Sequence, residues 1–123
     1  MHKRVLIADD SKLMRRILAR ILSSAGYAVA AEAKNGVEAV SLYQKFKPDI
    51  VTMDIVMPGL DGLQALKVIK ALDPNARVVM VSSIGQQDVI MEAIRARAKD
   101  FLIKPFRRSQ VLKTFTRIFN SLN

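Results

Sequence analysis

The chain has 123 residues, half of them hydrophobic and a quarter charged, with 20 Lys and Arg against 11 Asp and Glu for a formal charge of +9. That length suits one domain with a proper core, and the lack of cysteine excludes disulfides, thiolate catalysis and Cys-based zinc sites. The one histidine, His2, sits at the amino terminus, which excludes a histidine-based catalytic dyad or triad. No apolar run approaches a membrane span and no secretory signal opens the chain, so a cytoplasmic protein is expected. The basic excess is spread over several expected helices, with no Lys/Arg run longer than two and no interleaved aromatics. It is read as a solvated surface favouring acidic protein partners, not as a specific nucleic-acid or membrane site.

In chain order, Arg4–Ala8 is a short buried strand ending in Asp9-Asp10. Ser11 caps a helix whose apolar stripe is Met14, Ile17, Leu18, Ile21 and Leu22, with Lys12, Arg15, Arg16 and Arg20 on a solvated side. Gly26 closes it as a left-handed residue. Tyr27–Ala33 is an Ala-rich strand suited to a sheet edge. Asn35 to Glu38 resembles a capping box opening a second helix through Ala39, Val40, Leu42, Tyr43 and Phe46, and Pro48 ends it.

Ile50-Val51-Thr52-Met53 then runs into Asp54, the stretch around which the chain is organised. An unbroken apolar run of this kind reads as a strand buried on both faces of a parallel sheet. Asp61–Gln64 opens a third helix with Leu63, Leu66, Ile69 and Leu72 inward, stopped at Asp73-Pro74-Asn75. Val78–Val81 is a fourth strand ending in Ser82-Ser83, followed by a helix from about Gln86 to Ala96. Phe101–Ile103 is a fifth strand ending in Lys104-Pro105. The last helix, from about Arg107 to Phe119, packs through Val111, Leu112, Phe115 and Phe119.

Strict alternation with short connections predicts an α/β fold, a (βα)5 doubly wound five-stranded parallel sheet of flavodoxin-like strand order 2-1-3-4-5. In that order strands 1, 3, 4 and 5 are neighbours, and their carboxyl ends carry Asp9-Asp10, Asp54, Ser82 and Lys104. Three carboxylates against one ammonium call for a divalent cation, and oxygen ligands without His or Cys select Mg2+, with Mn2+ or Ca2+ as alternatives. Asp54 is then read as a phosphoryl-accepting nucleophile, with Lys104 and Ser82 stabilising the transferred group. For an isolated Asp54 a simple turn is an equally good reading; the other strand ends favour the site.

Asp9-Asp10, Asp54 with Met57-Pro58, Ser82, and Lys104-Pro105-Phe106 together resemble the receiver domain of bacterial and archaeal response regulators. Ser82–Gln87 and Ala98–Phe101 resemble its stand-alone chemotaxis-type members. The resemblance covers nearly the whole chain, so residues 1–123 are expected to form a single receiver domain. It implies Asp54 as phosphoacceptor, and Mg2+ held by Asp10, Asp54 and the Val56 backbone carbonyl, with Asp9 acting largely through water. Ser82 and Lys104 would contact the phosphoryl group, Ser82 and Phe101 would form the switch, and the bond before Pro105 would be cis. For Phe101, plain core is the competing reading. The resemblance also implies self-catalysed phosphorylation and, with apolar Val56 and Ile84 flanking the site, slow dephosphorylation. Its implied partners are a sensor histidine kinase, a downstream target with an acidic surface such as a flagellar motor switch, and a phosphatase; the chain itself is expected to be monomeric. The output surface would be the fourth helix, fifth strand and fifth helix. Arg97 departs from the pattern, since the family usually has Gly there.

Three alternatives remain at the level of sequence. A receiver cut from a longer regulator would have its effector after Asn123; the short lead before the first strand favours a complete small protein. An aspartyl-nucleophile phosphatase usually needs a second acid two residues after the nucleophile, where this chain has Val56. A flavin binder shares the fold, but here no hydroxyl- or Gly-rich phosphate loop follows the first strand, and the acidic cluster repels a phosphate unless a metal is present.

Overall fold

The computed structural model describes residues 2–83 and 86–120. Five strands alternate with five helices: β1 Arg4–Ala8, α1 Lys12–Ser24, β2 Ala28–Ala33, α2 Gly36–Phe46, β3 Ile50–Asp54, α3 Gly62–Leu72, β4 Val78–Ser83, α4 Gln87–Arg95, β5 Asp100–Lys104 and α5 Arg108–Asn120. The strands form one parallel sheet in the order β2-β1-β3-β4-β5, as expected. Every residue of β3 is buried, because helices cover both sides of it. Leu18 and Leu22 of α1 and Val111, Phe115 and Ile118 of α5 pack on one face of the sheet, against Val5, Ile7, Ile50, Val79 and Val81. The side chains of α2, α3 and α4 pack on the other, against Leu6, Val51, Met53 and Met80.

Local chemistry sets the helix ends. The Ser11 hydroxyl accepts from the Met14 amide and the Asn35 side chain from the Glu38 amide. Asp61 and Gln64 form a full capping box at α3. At α2 the reciprocal half differs from expectation: the Glu38 carboxylate accepts from the Lys34 amide, one residue before the cap. Gly26, with φ +92°, follows α1 in the left-handed region.

Four inward or outward assignments change. Ile17 and Leu72, read as core-facing, are 39% and 52% exposed, because each lies at the margin of a stripe that Leu18, Leu22, Leu66 and Ile69 already fill. On α5 Thr114 and Ile118 are buried and Phe119 packs against the core, whereas Leu112, read as packing, lies half-buried outside it. Arg15, placed on the solvated side of α1, turns inward and pairs with Glu32. In β2 the register slips by one residue between Val29 and Ala31, a bulge at Ala30 that the sequence pattern did not reveal. Among the described residues, no helix is long and apolar enough to cross a membrane.

Candidate functional site

The parallel register delivers the charged residues to one edge. Ala8 pairs with Met53, Asp54 with Val81 and Ser82 with Ile103, so Asp9, just past β1, lies beside Asp54 and Ser82 at the carboxyl ends of β3 and β4. Ser83 pairs with Lys104, which brings the end of β5 alongside. Ligand sites in open α/β sheets lie at this edge.

Asp9, Asp10 and Asp54 each offer a carboxylate oxygen, and these oxygens all lie within 4.8 Å of one another. Asp9 and Asp54 are buried, Asp10 exposed. The Lys104 ammonium donates to Asp9 Oδ2 and to Asp54 Oδ2, at 3.2 Å in each case. The Ser11 amide donates to Asp9 Oδ1 at 2.8 Å. Both oxygens of Asp9 are thus engaged, while the Asp10 carboxylate has no hydrogen-bond partner among the described residues.

The charges do not balance. Burial first, and repulsion from Asp9 second, push the Asp54 carboxyl above its ordinary pKa, against the opposing pull of Lys104 and the Val56 amide. Burial works against the charge of Lys104, but the carboxylates of Asp54 and Asp9 outweigh it and raise its pKa. One ammonium facing three carboxylates leaves an excess negative charge that a divalent cation would offset. The donor set, all oxygen, fits Mg2+.

Two further residues shape the site. Gly62 opens α3 against the end of β3: a Cβ there would stand 1.9 Å from the Asp54 carbonyl oxygen, so only glycine lets the helix start so close. Its amide donates to the Ile55 carbonyl at 2.9 Å. The sequence pointed to Gly62 only as part of a helix start. Arg15, the second, lies 15% exposed beside the Asp9 backbone. Its signal, an arginine one turn into the helix after the acidic pair, has meaning only once β2 is placed.

Ser82 is 1% exposed, and its hydroxyl has no hydrogen-bond partner among the described residues. A buried hydroxyl left unpaired is costly, and it is free to donate to a group entering the pocket. No described hydrogen bond uses the Val56 carbonyl, and the Val56 side chain is exposed. The Lys104-Pro105 peptide is cis. Phe101 is 39% exposed, which removes the plain-core reading: its ring borders a cavity of about 240 Å3 with Ile90 and Ile94 and another of about 280 Å3 with Gln110, Lys113 and Arg117. Ile84 lies outside the described residues.

Comparison with known proteins identifies the family. Residues 5–116 match the model of the response regulator receiver domain. The chain is 52% identical to the chemotaxis protein CheY of Thermotoga maritima, over 96% of this chain and 98% of that one. It is 48% identical to CheY of Bacillus subtilis, over 98% and 100%. Among solved structures, it superposes on CheY in a CheX-CheY-BeF3-Mg2+ complex from Borrelia burgdorferi with a TM-score of 0.92, at 37% identity over 97% of this chain and 90% of that one. The response regulator domain of Thermotoga maritima CheB matches with a TM-score of 0.90, at 36% identity over 100% of both chains. With its acidic strand-end cluster and a family match spanning all five strands, the chain belongs to the response regulator receiver domains and is a CheY-like response regulator.

Proposed function

We propose that residues 1–123 act as a single phosphorylation-driven switch in the cytoplasm, accepting a phosphoryl group on Asp54 from a sensor histidine kinase. An Asp54 carboxylate oxygen attacks phosphorus, the donor's P–N bond breaks, and its electron pair returns to the imidazole nitrogen. Asp10, Asp54 and the Val56 carbonyl would hold Mg2+, or Mn2+ in its place, with Asp9 acting largely through water. When bound, the ion supplies positive charge against the carboxylates and the phosphoryl oxygens. Lys104 meets the charge on the transferring group with an ammonium already 3.2 Å from Asp54. Ser82 donates its unpartnered hydroxyl to the phosphoryl group, a contact absent from the unphosphorylated state, and so biases a two-state equilibrium in which Phe101 and the α4-β5-α5 face change together.

The observation that carries this reading is the convergence of three carboxylates within 4.8 Å, two of them, Asp9 and Asp54, bridged by Lys104. The test is intact mass spectrometry before and after acetyl phosphate. One phosphoryl adduct is expected with Mg2+, and none with EDTA or in Asp54→Asn. Equal labelling of Asp54→Asn, or labelling that survives EDTA, sinks the mechanism. Followed after the donor is removed, the same adduct is expected to decay slowly, since apolar Val56 gives an attacking water nothing to bond to.

The relatives support a chemotaxis role for the phosphorylated form, with a downstream target such as the flagellar motor switch and a separate phosphatase. CheX in the Borrelia complex is one protein that assembles with a CheY.

A further inference from the structure

Arg15 is the one cation of α1 whose side chain is mostly buried. Its guanidinium reaches two ways: Nη1 donates to the Asp9 carbonyl at 2.7 Å and Nε to Glu32 Oε1 at 3.0 Å. It thereby ties the first turn of α1 to the end of β1 and to the edge strand β2.

Glu32 stands in its path only because of the bulge at Ala30. Val29 packs on the α1 side of the sheet, while Ala31 and Ala33 pack on the opposite side. In a regular strand Val29, Ala31 and Ala33 would share one face. The extra residue inverts the pattern beyond it, pairs Glu32 with Ile7 and turns its carboxylate toward α1.

The backbone of Asp9 is consequently fixed on both sides. Its amide donates to the Ala33 carbonyl at 2.9 Å and its carbonyl accepts from Arg15. This peptide joins Asp9 to Asp10, the one exposed carboxylate of the cluster and the one without a described partner of its own. The direction in which Asp10 enters the pocket is set by that peptide plane, since nothing else described holds its side chain.

We propose that Arg15 is a positioning residue of the acidic site. It fixes the Asp9–Asp10 peptide so that Asp10 can ligate, and Glu32, delivered by the β2 bulge, is its orienting counter-ion. This rests on the metal-site reading above. Outer partners of metal ligands act in this way, and removing one typically costs about tenfold or more in metal affinity. A lysine at position 15 keeps the charge but, with a single ammonium in place of the planar fork, does not satisfy the Asp9 carbonyl and Glu32 in the same geometry.

The experiment is a Mg2+ titration by calorimetry, paired with melting temperatures in EDTA and in Mg2+. The proteins are wild type, Arg15→Lys, Arg15→Met, Glu32→Ala, the Arg15→Met/Glu32→Ala double variant, and Arg16→Met as an exposed neighbour outside the site. Arg15→Met is expected to weaken Mg2+ by about tenfold, and Arg15→Lys by nearly as much. Glu32→Ala should weaken it by about threefold, and the double variant should be no worse than Arg15→Met, because Glu32 acts only through Arg15. Arg16→Met should match wild type. The rise in melting temperature caused by Mg2+ should shrink in step.

A merely structural Arg15 would lower the melting temperature equally with and without Mg2+ and leave the affinity unchanged; that result overturns the proposal, as does full rescue by lysine. Should Arg15→Met fail to fold, Arg15→Lys and Glu32→Ala decide the matter by the same affinities. If wild type itself takes up no Mg2+, the metal-site reading fails first and the positioning role with it. If wild type binds and every Arg15 and Glu32 variant binds equally well, only the positioning role fails.

Discussion

Ionised Asp54 opposes folding when no cation is bound, because its carboxylate is 7% exposed, beside a second buried carboxylate, and shares one ammonium with it. Its pKa is raised in the folded state, so its contribution to stability is fully present below its ordinary value of 3.8 and is lost as pH rises through the raised one. In EDTA at pH 7, Asp54→Asn is therefore expected to melt above wild type, with the advantage lost as pH falls below the ordinary carboxylate range. Thermal scans across pH check this, and a variant less stable than wild type at pH 7 would show that Lys104 already compensates the charge. Asp9, Asp10, Asp54, Ser82 and Lys104 were legible in the sequence because each directly follows or ends an apolar strand, and strand order alone then makes them neighbours. Arg15 and Gly62 were not. The inward turn of Arg15 depends on a bulge in another strand, and the need for glycine at position 62 depends on a backbone oxygen contributed by β3.

All ten elements were readable from apolar runs and caps, with bounds shifted by a residue or two, since terminal turns are set by backbone hydrogen bonds instead of side-chain pattern. The end of α4 is the informative exception. Arg97 lies just past it at φ 68°, in the left-handed region where a side chain costs on the order of 1 kcal/mol. The position was recognisable as strained because a glycine was expected there. A second penalty was invisible in sequence: burial first, then the nearby Arg97 charge, lower the pKa of Lys70, whose ammonium donates to the Pro74 and Ala76 carbonyls at 2.7 and 3.0 Å. Both effects point the same way. Arg97→Gly is expected to stabilise the protein by about 0.5–1 kcal/mol, read as a higher urea midpoint at unchanged slope, even though glycine loosens the unfolded chain. A lower midpoint would mean that the arginine side chain contributes more than its backbone costs.

Across the whole molecule the excess charge is lopsided. Helices α1 and α5, on the same face of the sheet, carry Lys12, Arg15, Arg16, Arg20, Arg108, Lys113 and Arg117 and no acid. The three helices on the opposite face carry four cations and three acids. Composition gave the net charge but not this distribution, because only the sheet topology brings the first and last helices together. The expected output face meets the basic side at α5. There Phe101, Met91 and Ile94 are exposed apolar groups, Lys113 is free of ion pairs among the described residues, and Arg117 pairs with Asp100. Apolar anchors with a free cation at their rim suit an acidic partner, with charge governing the association rate and apolar burial the lifetime. Three proteins separate this face from the general field: wild type, Lys113→Glu, and Arg16→Glu/Arg20→Glu on α1. Lys113→Glu is preferred to a change at Arg117 because it leaves the Asp100 pair intact. Binding to the cognate target is expected to tighten when beryllofluoride is added and to weaken roughly tenfold between low and high salt. Lys113→Glu should slow association several-fold, and the α1 reversals much less, since exposed charges beyond a Debye length are screened. If beryllofluoride leaves the affinity unchanged, the α4-β5-α5 face is not the switched surface. If the α1 reversals cost as much as Lys113→Glu, the target docks on the α1/α5 side.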